Sequence, residues 1–452
     1  MKKRIVILGS GESGTGAARL AKQKGFDVFV SDQGMIKDQY RSVLNASQIE
    51  FEEGSHSTEK ILNADILIKS PGIPDKAPIV AQAKAVGIEV IDEIEFAFRY
   101  IKGRVIAITG TNGKTTTTLL TYHLLKQAGL HVALAGNVGE SLAAKLVEGD
   151  HDWYVIEISS FQLDGTTTFR PDIGILTNIT PDHLDRYDYR MENYVASKFR
   201  LVTNMDAAGH FIYSAEDQVT AKAISGMKVT AVCHPVGLQP KTSGVYADGS
   251  TMHFNVAGHH MEINQSDTTL KGPHNLLNTL CAVTAAMLAG VEESSIRQAL
   301  KTFINAPHRL ETVGVIRGVE FVNDSKATNV DSVVYALGSY QQPLIWIAGG
   351  IDKGNDYGLI REAVAKKVKS LICLGKDNKR LFEFFSPVIP RISETQDVKS
   401  LVRMALEQAA AGDVVLLSPA CASFDLFRNY EDRGNQFRAA VQELKAEQES
   451  LS

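Results

Sequence analysis

Residues 105–118 read Val-Ile-Ala-Ile-Thr-Gly-Thr-Asn-Gly-Lys-Thr-Thr-Thr-Thr. An apolar strand runs into a glycine loop, then a lysine, then threonines that open a helix. That order of parts is a phosphate cradle. Gly110 and Gly113 let the backbone turn tightly and aim bare N–H groups at phosphate oxygens. Lys114 supplies a mobile positive charge, Thr115 a hydroxyl for Mg²⁺, and the helix behind them its N-terminal dipole. Only Thr111 and Asn112 separate Gly110 from Gly113. The usual motif has about four residues there, so this loop is a shortened variant.

The strand–loop–helix rhythm continues on both sides of this loop. Before it, strands are expected at 4–8, 27–31, 65–69 and 88–91, with a glycine loop at 9–14 and a helix at 15–24. After it, strands are expected at 153–158 and 172–177. This is the α/β pattern of parallel sheets. Between about 210 and 270 short strands with glycine turns at Gly244, Gly249 and Gly258 suggest a small β-rich insertion, closed by a helix over 274–288. From about 307 a third α/β unit begins, with strands at 343–348, 370–374 and 414–417. The last ~15 residues read as a polar surface helix with a frayed end.

The chain has 452 residues, a prior of about three domains at ~150 residues each. Its net charge of −5 gives no sign of general nucleic-acid binding. No stretch of about 18 apolar residues exists, so no membrane span is expected. The apolar run Ile5 to Leu8 is too short for a secretory signal. Cys233, Cys281, Cys373 and Cys421 have no metal-like spacing and read as reduced core residues. A cytoplasmic enzyme fits these bounds.

Further motifs sit at strand ends. Gly9-Ser10-Gly11-Glu12-Ser13-Gly14 fits G-x-G-x-x-G, with Asp32 ending the next strand. Alone this says dinucleotide binding, yet the same geometry holds any nucleotide diphosphate or none. A second loop, 69–73, lies at the same carboxyl edge. Glu157 near the end of its strand is placed to hold Mg²⁺ beside a nucleotide, or is a solvated edge glutamate. Pro181 fixes a turn that clusters Asp182, His183 and Asp185, and His183 is a ligand or an ordinary histidine. Lys198, on a helix, reads as a surface lysine. The stretches 323–329, 349–354 and 417–425 are polar loops after strands and suggest one shared pocket.

Taken together, these segments make the chain resemble the muramyl ligases, ATP-dependent amide-forming enzymes of peptidoglycan precursor synthesis. The Gly-Thr-Asn-Gly-Lys-Thr loop is shared with all of them and with folylpolyglutamate synthases. Glu157-Ile-Ser-Ser-Phe-Gln162, Asp182-His-Leu-Asp-Arg186, Asn323-Asp-Ser-Lys-Ala-Thr-Asn329 and Ser418-Pro-Ala-Cys-Ala-Ser423 look like the D-glutamate-adding branch. The Asp-Asn-Pro-Arg motif of the diaminopimelate- or lysine-adding branch is absent. The resemblance implies an α/β protein of three domains. These are an N-terminal Rossmann-like domain (1–93) for a UDP substrate, a central P-loop-type ATPase domain with a small β-rich part (94–305), and a C-terminal Rossmann-like domain for amino acid and ATP (306–452).

It also implies roles. Gly110, Thr111, Asn112, Gly113, Lys114, Thr115 and Thr116 should bind ATP, with Asn275, Asn278, Arg309, Asp324 and Lys326. Thr115, Glu157, His183 and Lys198 should hold Mg²⁺, as two ions, with Lys198 carbamylated by CO₂. Ser13, Asp32, Gln33, Gly72, Asn137, Ser159, Gln162 and His183 should face UDP-N-acetylmuramoyl-L-alanine. Thr328, Lys353, Ser423 and Phe424 should receive D-glutamate. A monomer is implied. Gln33 and Gly34 stand where a threonine and an arginine are common, Tyr430 where a phenylalanine is, and the spelling around Lys353 is shifted. The alternatives are an alanine-adding ligase, a folylpolyglutamate synthase, a non-catalytic nucleotide-binding regulator and, weakest, an NAD-dependent dehydrogenase. The last leaves the second phosphate loop unexplained.

Overall fold

The runs Ile5 to Leu8 and Leu344 to Ala348 are apolar at every position because both faces of their sheets are covered. In the first strand Ile5 and Ile7 enter one core while Val6 and Leu8 enter another. In the second, Leu344, Trp346 and Ala348 face one core, and Ile345 and Ile347 the opposite one. This is the two-residue period of a strand expressed as two cores. The buried Trp346 indole also donates to the Ser418 carbonyl (2.8 Å), tying the core to a strand-end loop.

The computed structural model describes residues 2–240, 244–270 and 272–450. These residues build three sheets. The first is parallel, in the order Glu50–Glu53, Asp27–Asp32, Arg4–Leu8, Ile66–Lys69, Glu89–Asp92. The second runs His259–Asn264, Thr251–Val256, Val245–Asp248, Val232–Gly237, His210–Ser214, Ile173–Leu176, Arg104–Thr109, Trp153–Glu157, Val132–Gly136. The third runs Glu311–Ile316, Val319–Asn323, Val414–Leu417, Leu344–Ala348, Val368–Leu374, Ile392–Thr395. Two compact units result. One holds 1–269 with 276–303, and the other 270–275 with 304–452.

Several expectations are corrected. The stretch at 210–270 is no insertion. Its strands extend the central sheet, first in parallel and then as an antiparallel ribbon over Val245–Asn264. Residues 241–243 of that stretch lie outside the described residues. The first helix begins at Glu12, not 15, because Gly11 already supplies the extended N-cap position. The strands Glu50–Glu53 and Val132–Gly136 were not expected; the first alternates too weakly in polarity to be read alone. The C-terminal helix spans Tyr430–Ser450 and buries Arg433, Gly434, Phe437, Ala440, Val441 and Leu444, so only its far face is a surface. Residues 451–452 lie outside the described residues. Cys233 is exposed, whereas the other three cysteines are buried. No described helix is long and apolar enough to cross a membrane.

Between the first two sheets lies a group of buried carboxyls. Asp92 accepts from Ile94 N (3.0 Å), capping helix Glu93–Phe98, and Glu93 accepts from Ala143 N (2.5 Å). Burial pushes Asp92 up to about 7 and, with the Asp92 and Glu12 charges beside it, Glu93 up to about 8. Burial works on Glu95 too, yet bonds from Thr167 and Thr168 hold it down at about 2. A carboxyl raised on folding keeps a proton that the unfolded chain has lost. Its contribution is therefore complete at low pH and is lost as pH rises from the unfolded value, near 4.5, through about 8. Glu93→Gln removes that loss. It is expected to be more stable than the natural chain at pH 9, by on the order of 1–3 kcal/mol, and nearly equal at pH 5. Thermal melts of both proteins at the two pH values check this; parallel curves would refute it.

Candidate active site

The phosphate loop joins strand Arg104–Thr109 to helix Lys114–Gln127, at the carboxyl end of the central sheet. Gly110 (φ +145°) and Gly113 (φ +83°) hold conformations that side chains rarely adopt. A Cβ on Gly110 would meet the Thr177 hydroxyl, and one on Gly113 the Asn278 amide oxygen. The loop is braced by the neighbouring strand end. Asn112 N donates to Asn178 Oδ1 (2.9 Å), while Thr177 Oγ1 and Asn178 Nδ2 donate to the Asn112 carbonyl (2.6 and 3.0 Å). Thr111 Oγ1 donates to the Thr180 carbonyl (3.1 Å), accepts from Thr180 N (3.0 Å) and lies 3.1 Å from the Tyr194 hydroxyl. Lys114 Nζ folds back onto the Gly110 and Thr111 carbonyls (2.9 and 2.7 Å), so its charge lies over the cradle. Thr115 is half-buried and Thr116 buried. Asn278 accepts from Thr117 Oγ1 (3.2 Å), placing it beside the loop as expected.

Glu157 ends the strand next to the phosphate loop and is 5% exposed. Its Oε2 is buried with no hydrogen-bond partner. An anion without a partner is costly in that setting, which makes the position suited to a cation. Lys198 is the larger correction. It is 2% exposed, not a surface residue, and its Nζ lies 4.8 Å from the Tyr194 ring centroid. Burial drives its pKa well below the ordinary lysine value, and the nearby Lys114 charge acts the same way. The Asp182, Asp164 and Glu157 carboxylates pull against both. Tyr187 donates to Asp164 (3.0 Å) and lies 3.2 Å from the hydroxyl of Ser197, the residue before Lys198.

His183 sits in the left-handed region (φ +52°), 3.6 Å from Asp182 and edge-on to Phe161. Among the described residues no group of three His, Cys, Asp or Glu side chains is arranged to hold a metal. The donors that could hold Mg²⁺ beside the cradle are instead mixed: the orphaned Glu157 oxygen, the Thr115 hydroxyl and the His183 ring. Oxygen donors suit that hard cation.

Two further loops approach from the first sheet and the helix after Glu157. Asp32 accepts from Ser10 N and Oγ (2.7 and 2.6 Å) and from Gly34 N (2.8 Å). Burial opposes ionisation there, but these bonds outweigh it and keep the carboxyl below its usual range. Asp32 thus shapes the 9–14 loop itself. Ser13 is half-buried, and Gln33 and Gly72 are exposed at the same edge. Arg186 stacks on Phe161 (4.4 Å) and donates to the Pro71 and Gly72 carbonyls (3.3 and 3.4 Å). Ser159 and Gln162 form a reciprocal capping box on helix Ser160–Asp164. Asn137 is exposed, and its N–H donates to the Glu157 carbonyl (3.0 Å).

In the second unit the loops after Val319–Asn323, Val414–Leu417 and Leu344–Ala348 leave adjacent parallel strands at one edge. Asp324 is buried there, accepting from Leu310 N (3.2 Å) and Ser418 Oγ (2.9 Å), and burial pushes it up to about 7. Lys326 Nζ stands 3.7 Å from the Tyr430 ring centroid. Ser423 is buried, Arg309 and Thr328 are half-buried, and Lys353 and Phe424 are exposed. Asn275 is buried near the start of helix Pro273–Leu288.

Three family models cover most of the chain: MurD N-terminal domain (residues 4–79), Mur ligase middle domain (108–286) and Mur ligase, glutamate ligase domain (308–421). The chain belongs to the Mur ligase family. It is 51% identical over 448 residues to the UDP-N-acetylmuramoylalanine–D-glutamate ligase of Cytophaga hutchinsonii, covering 98% of this chain and 100% of that protein. It is 49% identical, with the same coverage, to the ligase of that name from Bacteroides fragilis. Among solved structures, a pseudomurein peptide ligase type C from Methanothermus fervidus superposes with a TM-score of 0.62 at 20% identity, covering 98% of this chain and 100% of its own. MurF from Acinetobacter baumannii gives 0.63 at 15%, covering 97% and 93%. Both share the ligase fold. Sequence reading of this Mur ligase missed Thr177, Asn178 and Tyr194 as braces of the cradle. The Thr-Asn-Ile-Thr-Pro run of residues 177–181, directly after a strand, was the available signal for the first two.

Proposed function

We infer that this chain is an ATP-dependent ligase joining D-glutamate to UDP-N-acetylmuramoyl-L-alanine in peptidoglycan precursor synthesis. The observation that carries the chemistry is the meeting of the phosphate cradle, the unpartnered Glu157 oxygen and the buried Lys198 at one sheet edge. The full-length relatives carry the choice of substrates. We assign 1–93 to the UDP substrate, 94–305 to ATP, and 306–452 to the amino acid and part of ATP, acting as a monomer in the cytoplasm.

The substrate carboxylate attacks the γ-phosphorus of ATP, forming one O–P bond and releasing ADP. Both reactants are anions, so the barrier falls when charge is neutralised and the groups are aligned. The loop N–H groups and Lys114 hold the phosphates. Thr115, Glu157, His183 and carbamylated Lys198 would hold Mg²⁺, which supplies charge neutralisation on the phosphoryl oxygens. The uncharged Lys198 amine adds to CO₂, forming an N–C bond and releasing one proton, and so becomes an anion. The resulting acyl phosphate is then attacked by the D-glutamate amine. The tetrahedral intermediate expels phosphate, and the amine proton passes to solvent. Thr328, Lys353, Ser423 and Phe424 would orient the amino acid, and Asn275, Asn278, Arg309, Asp324 and Lys326 the nucleotide.

The test is phosphate release from ATP with UDP-N-acetylmuramoyl-L-alanine and, in turn, D-glutamate, L-glutamate, L-alanine or no amino acid. Release that requires D-glutamate is expected. Release with another amine would move the chain to a sister ligase, and no release would favour the non-catalytic reading.

A further inference from the structure

Arg433 is one of the largest fully buried side chains among the described residues, at 1% exposure. It projects from the first turn of helix Tyr430–Ser450. A buried guanidinium normally meets a carboxylate, but here every bond goes to a carbonyl or a hydroxyl. Nε donates to Ser325 Oγ (2.9 Å), and Nη2 to the Ser325 carbonyl (2.9 Å). Nη1 and Nη2 both donate to the Cys421 carbonyl (3.2 and 3.3 Å), and Nη1 also to the Gly349 carbonyl (3.4 Å). These acceptors belong to three residues in three different loops, after strands Val319–Asn323, Val414–Leu417 and Leu344–Ala348. Burial pulls Arg433 down to about 10, so it remains a cation at neutral pH.

The same helix turn makes further ties. Ser325 Oγ donates to the Tyr430 carbonyl (2.8 Å), and Asn323 Nδ2 to the Gly434 carbonyl (3.1 Å). A Cβ on Gly434 would strike the His308 ring, so the turn lies tight against the 308 loop. The carbonyl of His308 accepts from Lys326 N (3.2 Å). The Tyr430 ring, from the residue that starts the helix, faces Lys326 Nζ.

We propose that Arg433 is a positioning residue for D-glutamate, its guanidinium locking together the three strand-end loops that present Lys326, Lys353 and Ser423. This rests on the reading that those loops receive the amino acid. The physical reason is geometric. A planar fork with five N–H donors reaches three separate loops at once, whereas a lysine ammonium offers three donors from a single nitrogen and cannot span them. Loop carbonyls left without a donor move apart, and the groups they carry lose their common alignment.

The experiment compares KM for D-glutamate, ATP and UDP-N-acetylmuramoyl-L-alanine, with kcat, in the full-length enzyme and in Arg433→Lys, Arg433→Ala and Ser325→Ala. Arg433→Lys and Arg433→Ala are expected to raise KM for D-glutamate about tenfold or more while KM for the UDP substrate stays within about twofold. Millimolar guanidinium chloride is expected to lower the D-glutamate KM of Arg433→Ala, with potassium chloride as the control. Ser325→Ala, which removes only one hydroxyl of the clamp, is expected to give a smaller rise of the same selectivity. It serves as the test if the Arg433 variants do not fold. An unchanged D-glutamate KM in the folded variants, equal losses for all three substrates, or full activity in Arg433→Lys would overturn the proposal. A natural enzyme that turns over no D-glutamate would overturn the functional reading itself, whereas natural turnover with unaltered variants overturns this inference alone.

Discussion

Replacing Lys198 by alanine is expected to lower turnover by about a thousandfold, with added formate or acetate restoring a measurable part of it. The expectation follows from burial. Burial pushes the Lys198 amine toward its uncharged form, and the Lys114 charge acts in the same direction. An uncharged amine reacts with CO₂, and the carbamate reverses the sign of the side chain. Under the proposed carbamate, alanine leaves a cavity lined by the groups that would face that anion, and a short carboxylate can enter it. Steady-state rates with and without millimolar carboxylate measure the effect. Absence of rescue, together with undiminished natural activity in CO₂-free buffer, would count decisively against the carbamate. Lys198→Arg separates charge from chemistry, because a guanidinium stays cationic at any working pH and is expected to be as inactive as alanine.

Gly110→Ala is expected to cost at least a hundredfold in ATP affinity, about 3 kcal/mol, with the rest of the fold retained. Two effects combine. The residue sits at φ +145°, where a side chain is strained, and its Cβ would run into the Thr177 hydroxyl. Thr177 cannot withdraw freely, because it donates to the Asn112 carbonyl at 2.6 Å. The loop must therefore open, and its N–H groups no longer converge on one phosphate. Calorimetric titration with ATP measures the loss, and a thermal melt shows whether the protein is folded. Near-normal affinity would mean that the loop geometry is not what holds the nucleotide. Gly129→Ala is a fitting control: it also has positive φ (+81°), but no atom stands within 4 Å of its added Cβ.

Much of this architecture could be read along the chain, because its signals are local. The strand over 414–417 was expected with its final boundaries, and those at 344–348 and 66–69 to within a residue. Each is a short apolar run between glycine or polar turns, and a strand buried on both faces has no choice of pattern. The phosphate loop was legible for the same reason: glycines, lysine and threonine act through backbone conformation and a few bonds to neighbours in sequence. The weakly alternating Glu50–Glu53 was not legible, since its partner strand Asp27–Asp32 supplies the stability that its own side chains do not.

The chain by itself determined the kinds of chemistry present: a phosphate cradle after one strand, carboxylates and a histidine after the next two, and polar loops at the ends of a third sheet. Tertiary structure alone decided how those groups behave. Lys198 has the same helix-surface pattern as any amphipathic lysine, and only the packing of its helix against the central sheet removes it from water and lowers its pKa. Arg433 reads as one more cation in a polar C-terminal helix until three loops, distant in sequence, bring their carbonyls to it. The glycine-rich ribbon near 250 looked separate until its strands proved to continue the central sheet. The reason is common to all three. Backbone conformation and residue chemistry are properties of a few adjacent residues, whereas burial, and the pKa and hydrogen bonds that depend on it, is a property of what the rest of the chain places around them.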